Sequence, residues 1–322
     1  MFEPNIAKEI RKKIDAVFYD GRVVPAHTEH EHFYKDSEDG EVYASVTTKT
    51  SLLSRKYYKQ MAADKAVEYI QKFLLENNDP EPEEIGKAFA NARYQHEADL
   101  NQAGIWGTHG HDLIDAYMQD WIKNSERPQD INTYADQSIS PQGICAGLGA
   151  LKFFDDYTLF PVASEKKVIS KKHRYGGTLD SLWLVGEVWK ERIGDSSCSH
   201  TWGNKGEHVK CMKCGREEKL VLSLLDWKTS NQIFGYGSMG KYDYAMQVAA
   251  YAMALKEMAK VTCKSHWIVR FDKKEPKYEI GVIQDIKKAG EAFLAMNVVN
   301  DFARSHEAPI LPLVVKKQRM TL

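Results

Sequence analysis

Residues 220–232 read LVLSLLDWKTSNQ, an apolar run that stops at an acid and a base two positions apart, Asp226 and Lys228. The run has the Leu and Val content of a buried strand. Side chains alternate along a strand, so Asp226 and Lys228 project to one face. A second acid, Asp180, follows Gly176-Gly177 in KKHRYGGTLDSLWLV, another strand-like stretch. If these two strands pair as a hairpin, both carboxylates meet at one end. Carboxylates that close repel unless a cation sits between them. Oxygen donors suit Mg²⁺ or Mn²⁺. Lys228 would there hold an attacking water or neutralise charge growing on a phosphate.

A softer donor set lies between those strands. CSHTWGNKGEHVKCMKCG carries Cys198, His200, His208, Cys211 and Cys214. A Cys-x-x-Cys-Gly turn lets two thiolates grip one ion, and Cys198 with His200 completes a four-ligand set. His208 is the alternative nitrogen donor. Four soft ligands without a carboxylate point to a closed, structural Zn²⁺. As a zinc-ribbon-like insertion over residues 195–217, it would cap the hairpin at the end away from Asp180 and Asp226.

The elements that must hold these residues alternate in kind. HEHFYKDSEDGEVYASV reads as a hairpin turning at Asp39-Gly40. Helical patterns follow over 52–78, 81–104, 108–124 and 140–157, the first two separated by Asn78-Asp79-Pro80. Strand patterns occupy 160–170, 171–189, 219–229, 265–272 and 276–284, with helices over 240–260 and 286–306. This predicts an α/β fold: an N-terminal hairpin and helical region over 1–130, then a mixed core over 131–322. The 322 residues carry 44 Lys+Arg against 45 Asp+Glu, a balance that neither advertises nor excludes nucleic acid. No run approaches the ~20 apolar residues of a membrane span, and the N-terminus lacks an apolar signal core. A cytoplasmic protein is expected, in the host cell if phage-encoded. The five cysteines, three of them clustered, read as a metal site plus two core thiols.

GGTLD, then a strand with Asp-Trp-Lys, then a helix carrying Gln247 and Tyr251 in QVAAY resembles the PD-(D/E)XK nuclease superfamily, in its RecB-type and phage exonuclease branch. WGTHGHDLIDAYM adds Gly107 and His111 in the spacing of that branch's upstream helix motif, and favours His111 over the nearby His109. SVTTKTSLLSRKYYKQMAADKAVEYI is similar to the N-terminal region of phage members. The resemblance implies a restriction-endonuclease-like core. It implies that Asp180 and Asp226 bind the catalytic metal, with the Trp227 carbonyl joining them. Lys228 would orient or activate the water, and His111 would be a further ligand. Gln247 and Tyr251, four apart, would share a helix face toward the site or DNA. The resemblance also sets Glu165 at an acidic position of some relatives.

The expected partner is therefore DNA, with ends favoured, alongside recombination or replication proteins. Candidate phosphate contacts are Arg55-Lys56, Lys59, Lys166-Lys167, Lys171-Lys172, Arg174, Lys316-Lys317 and Arg319. Tyr57, Tyr58 and Tyr175 interleave with them as candidate stacking platforms. The rival expectations are a nuclease-fold DNA-binding or recombination partner without catalysis, and a zinc-stabilised protein-interaction module.

Overall fold

A computed structural model of the chain describes residues 3–28, 31–187, 198, 200–230 and 240–304, without the side chains of 52–58, 240, 241 and 304. The first half runs α1 (Asn5–Asp15), β1 (Val23–Pro25), β2 (Phe33–Asp36), β3 (Val42–Ser45), α2 (Val46–Glu76), α3 (Pro82–Ala92), α4 (Gln95–Asn124) and α5 (Pro141–Asp156). Then come β4 (Leu159–Ser170), β5 (Tyr175–Gly186), β6 (Trp202–Lys205), β7 (His208–Cys211) and β8 (Glu217–Thr229). The last elements are α6 (Gly240–Ala254), β9 (Ser265–Phe271), β10 (Tyr278–Val282) and α7 (Ile286–Arg304). The fold is α/β, a mixed sheet flanked by helices. Among the described residues no helix is long and apolar enough to cross a membrane.

The heart of the sheet is β4-β5-β8-β9-β10. Its neighbours are antiparallel except β8 and β9, which run parallel. Parallel neighbours need a crossover, and α6 supplies it between β8 and β9. β3 adds to the start of β5 in parallel, Ser45 against Gly176, so the β1–β2–β3 meander joins the same sheet. β6 and β7 form a hairpin that continues from the start of β8.

Strands buried on both faces read as nearly continuous apolar runs, and β5 and β8 do. Trp183, Val185, Leu225 and Trp227 pack toward Tyr117 and Trp121 of α4 and Phe153 and Phe154 of α5. Leu182, Leu184, Leu222 and Leu224 alternate to the other face, against Val248, Ala250 and Tyr251 of α6 and Phe293 of α7. Each such side chain stabilises the fold by about 1.5–3 kcal/mol on burial. The alternation fixes register, because a one-residue slip would exchange every core residue with the opposite face. It also sends Asp226 to the same face as Leu224, toward α6.

Several element boundaries differ from the sequence pattern. One helix, α4, spans 95–124, where two were expected to part near Gly104. The break falls earlier, at Arg93-Tyr94. Glycine inside a helix costs about 1 kcal/mol, but Gly107 and Gly110 recover it by close packing described below. Residues 171–174 form the turn between β4 and β5 rather than strand, with Arg174 at φ 54°. Helix α2 begins at Val46, ahead of the expected Leu52, because the Ser45 hydroxyl accepts the Thr48 N–H at 2.9 Å as an N-cap. The Asp39-Gly40 turn forms between β2 and β3 as expected, with Gly40 at φ 76°.

Candidate metal and active site

Sheet register gathers the acids. Ser181 pairs with Leu225 across β5 and β8, so Asp180 and Asp226 are the next residues facing each other. Across β4 and β5, Ser164 pairs with Ser181 and Lys166 with Leu179, which sets Glu165 opposite Asp180. Three carboxylates thus lie in one row over three adjacent strands. Glu165 breaks its ladder to get there, with φ at 45°, in the left-handed region. That conformation costs a non-glycine residue about 1 kcal/mol or more and concentrates at functional sites.

Helix α4 adds the nitrogen donor. A Cβ on Gly107 would stand 3.0 Å from the Thr229 hydroxyl, and one on Gly110 3.2 Å from both the Thr229 methyl and Ala146. The missing side chains let α4 lie against the end of β8. His111 then comes within 3.8 Å of Glu165, Nδ1 to Oε1. One donor atom each from His111, Glu165 and Asp180 lie within 4.8 Å of one another. An octahedral ion with ligands at about 2.0–2.1 Å holds opposite donors about 4 Å apart, so small side-chain shifts close this trio on one cation. His109 faces elsewhere: its Nδ1 accepts the Ser140 N–H at 3.0 Å, where α5 begins.

Asp226 is fully buried, and its Oδ1 has no hydrogen-bond partner. Lys228 Nζ stands 2.6 Å from Oδ2 and pairs with it. Buried, unsatisfied carboxylate oxygens cost free energy unless a cation or water completes them. Asp226 stands beside the trio of His111, Glu165 and Asp180 but outside the group whose donors lie within 4.8 Å of one another. Asp180 is better served, since its Oδ2 accepts the Trp227 backbone N–H at 2.6 Å. Trp227 meets the site through that N–H, while its indole is buried among Phe153, Phe154, Trp183 and Phe271.

The electrostatics follow the crowding. Burial pushes the Asp226 carboxyl up to about 6, with Asp180 adding to the rise and Lys228 opposing it. Burial also raises Asp180, against the pull of His111 and Lys228. Burial disfavours the charge on His111, yet Asp180 and Glu165 outweigh it and raise its pKa. Lys228 is likewise raised: burial works against its charge, and Asp226 and Asp180 prevail.

Helix α6 covers the row. Gln247 donates to the Tyr251 hydroxyl at 3.1 Å, as their four-residue spacing allows. The Tyr251 ring lies on Gly177, where an added Cβ would meet Cε1 at 2.5 Å. Its hydroxyl is held far above the ordinary tyrosine pKa by burial, with Asp180 and Asp226 contributing. Tyr34, on β2, also reaches the site. Its hydroxyl bonds Thr178 at 3.0 Å, and its ring lies over Gly176. The Gly176-Gly177 pair, which carried no role of its own in sequence, is what admits both tyrosines.

The far end of the same strands holds the soft donors. Cys198, His200, Cys211 and Cys214 place one donor each within 4.8 Å of one another. The Cys198 and Cys211 sulfurs are 3.9 Å apart, and Cys214 Sγ is 3.5 Å from His200 Nδ1. Tetrahedral zinc with bonds of about 2.3 Å to sulfur and 2.0–2.1 Å to nitrogen requires edges of about 3.8 and 3.6 Å. A disulfide would need sulfurs at about 2.05 Å. Burial opposes a thiolate at Cys211, but the N–H groups of Cys214, Thr201 and Lys213 with His200 bring its pKa down to about 5. The cluster can bind a metal such as zinc. His200 supplies the nitrogen, stacked on Trp202, while His208 sits on β7 outside the group.

The basic residues divide. Lys166 pairs with Asp15, Lys171 with Asp36 and Asp39, and Arg174 with Glu41, so their charge is compensated. Lys59, Lys167 and Lys172 are exposed. Tyr175 does not offer a stacking surface. It is fully buried, and its hydroxyl donates to the Ala250 carbonyl at 2.8 Å, because β5 starts there beneath α6. Lys316, Lys317 and Arg319, and the side chains of Arg55, Lys56, Tyr57 and Tyr58, lie outside the described residues. No protein-family model matches the chain, and no curated protein matches it.

Proposed function

We propose that the protein is a divalent-metal-dependent DNA nuclease with a PD-(D/E)XK core, an exonuclease of the phage recombination, replication or repair kind. The observation that carries the reading is the row Glu165–Asp180–Asp226, with Lys228 at 2.6 Å from Asp226 Oδ2 and the other oxygen of that fully buried carboxylate without a partner. The antiparallel β4–β5–β8 order followed by a parallel β9 supports it, as does the arrival of His111 and of Gln247–Tyr251 from two different helices.

In this reading His111, Glu165, Asp180 and Asp226 hold Mg²⁺ or Mn²⁺. The bound ion supplies Lewis acidity toward a phosphate oxygen and a water of lowered pKa. Lys228 donates its ammonium hydrogens to the attacking water or to the oxygen that gains charge. Tyr251, kept protonated by its burial, orients through Gln247. The zinc of the knuckle is structural.

The test is digestion of end-labelled linear and circular DNA, single- and double-stranded, with Mg²⁺ or Mn²⁺. Release of label from linear substrate, dependent on the cation, is expected. Asp226→Asn and Lys228→Ala are expected to lower the rate by about 10³-fold or more while leaving the circular dichroism spectrum and DNA binding in place. Lys228→Ala cutting at the wild-type rate would remove the assignment. DNA binding without cleavage by the wild-type protein would leave the non-catalytic recombination partner as the reading.

A further inference from the structure

Lys228 is not held by Asp226 alone. Its Nζ stands 5.0 Å from the centroid of the Tyr244 ring, on the side where α6 crosses the sheet. Tyr244, Gln247 and Tyr251 are spaced i, i+3 and i+7, one stripe of α6. At one end of the stripe Tyr251 lies on Gly177 of β5. At the other, Tyr244 lies against Lys228 of β8. By the β5–β8 register both contacts lie on one side of Asp180 and Asp226, two or three residues along the same two strands. The same helix face therefore touches both strands beside the acids.

We infer that Tyr244 is a positioning residue: its ring face holds the Lys228 ammonium in place beside the carboxylate row. Resting on the nuclease reading for its catalytic consequence, the inference rests on geometry alone for the contact itself. Three considerations lead to it. First, a lysine ammonium on a flexible four-carbon stem loses its aim unless neighbours restrict it. Only 19% of the Lys228 side-chain surface is exposed, so the restriction is by packing. Second, an ammonium within about 6 Å of an aromatic centroid is attracted to the ring face, more strongly when desolvated. Third, the ion pair with Asp226 pulls Nζ toward a carboxylate that a cation would also claim. When an ion draws on Asp226, the ring still holds Nζ, because its attraction is independent of the carboxylate's lone pairs. Tyr244 thus keeps the ammonium facing the reacting phosphate after the cation arrives.

Two measurements test this. In protein labelled at lysine Cε, the Lys228 methylene signal, assigned by its loss in Lys228→Arg, is expected to be shifted upfield by the ring. It should return to the range of exposed lysines in Tyr244→Leu and stay shifted in Tyr244→Phe. In the cleavage assay, Tyr244→Leu is expected to lower kcat by about 3- to 30-fold with KM nearly constant. Tyr244→Phe, which keeps the ring, should recover most of the rate, and Tyr244→Leu should add nothing in a Lys228→Met background. An unshifted Lys228 signal in the wild type overturns the contact. A shifted signal with kcat unchanged in Tyr244→Leu, or an equal loss in the Lys228→Met background, overturns the positioning role. A wild-type protein that shows the shifted signal and cleaves nothing retires the nuclease reading and leaves the contact standing.

Discussion

The two ends of the β5–β8 pair are furnished with opposite donors. At one end, oxygens from Glu165, Asp180 and Asp226 crowd together, with His111 and Lys228 as neighbours. At the other, Cys198, Cys211, Cys214 and His200 place their donors within 4.8 Å of one another, two of the separations near those of a tetrahedral zinc site. The soft set is local: its four members fall within 17 positions of sequence and need only a hairpin and a turn. The hard set is assembled from α4, β4, β5 and β8, so it exists only once the whole sheet is formed. A closed tetrahedron has no vacant position and suits a structural ion. The carboxylate row carries an unpartnered Asp226 oxygen, which on the proposed reading would suit an ion that must also meet a substrate.

The contrast breaks most sharply if the two ends answer to the same metal. Purified protein is expected to hold about one zinc per chain, since structural zinc sites bind with about 10–16 kcal/mol of free energy. Cys211→Ser should bring that to about zero and expose the remaining thiols to thiol reagents. Mn²⁺ should still raise the melting temperature of Cys211→Ser, through binding at the opposite end, and should fail to raise that of Asp180→Asn. Loss of the Mn²⁺ response in Cys211→Ser would mean that the ends are not independent. Atomic emission analysis with a melting titration decides it.

How far each end was legible follows from the same locality. Cys-x-x-Cys-Gly and Asp-x-Lys are short-range patterns, and the alternation of a strand says at once that Asp226 and Lys228 share a face. The choice of His200 over His208 needed three dimensions, because both lie at plausible spacings and only the β6–β7 register separates them. Glu165 is named in sequence only through the resemblance; its left-handed backbone and its register are what place it opposite Asp180. Tyr34 had no sequence signal, since its partner Thr178 is 144 positions away. Tyr175 misled for the opposite reason: lysines and an arginine precede it, but the strand begins at that residue and takes it inside. Gly104 looked like a helix end by composition, while the tight packing of Gly107 and Gly110 against Thr229 decided the matter for continuity.

A finer distinction lies in pH. Burial raises Asp226 to about 6 and raises Asp180 as well. Below that range a proton occupies the carboxyl and must leave before a cation binds. Mn²⁺ affinity is therefore expected to fall as pH drops, first as His111, raised above the ordinary histidine value, takes a proton and then more steeply below about 6, by about tenfold per unit for each proton displaced. The knuckle answers to other groups: Cys211 is lowered to about 5, but burial and the neighbouring thiols raise Cys198 to about 11, so zinc affinity should fall steadily with pH across the whole range, without a break near 6. Isothermal titration with Mn²⁺ between pH 5 and 8, with zinc content measured in parallel, checks both. Equal pH slopes at the two ends would remove the distinction.

The smallest expected effect tests why the hard end is rigid at all. Its carboxylates are aligned by close approach rather than by ligation, and Gly177 is the tightest point of that approach. The atom that an added Cβ would meet at 2.5 Å belongs to the ring of Tyr251, a side chain 3% exposed and bonded to Gln247. Such a ring cannot swing away as the tip of an exposed lysine would. Gly177→Ala is thus expected to cost about 1–3 kcal/mol of stability, the usual range for overpacking a core. Tyr251→Leu should cost a comparable amount through lost burial and the lost hydrogen bond. The double variant should fall well short of the sum, because the smaller side chain relieves the clash. Urea denaturation of the four proteins measures this. Strict additivity would mean that the glycine does not exist for the tyrosine, and that α6 is held over the carboxylates by other contacts.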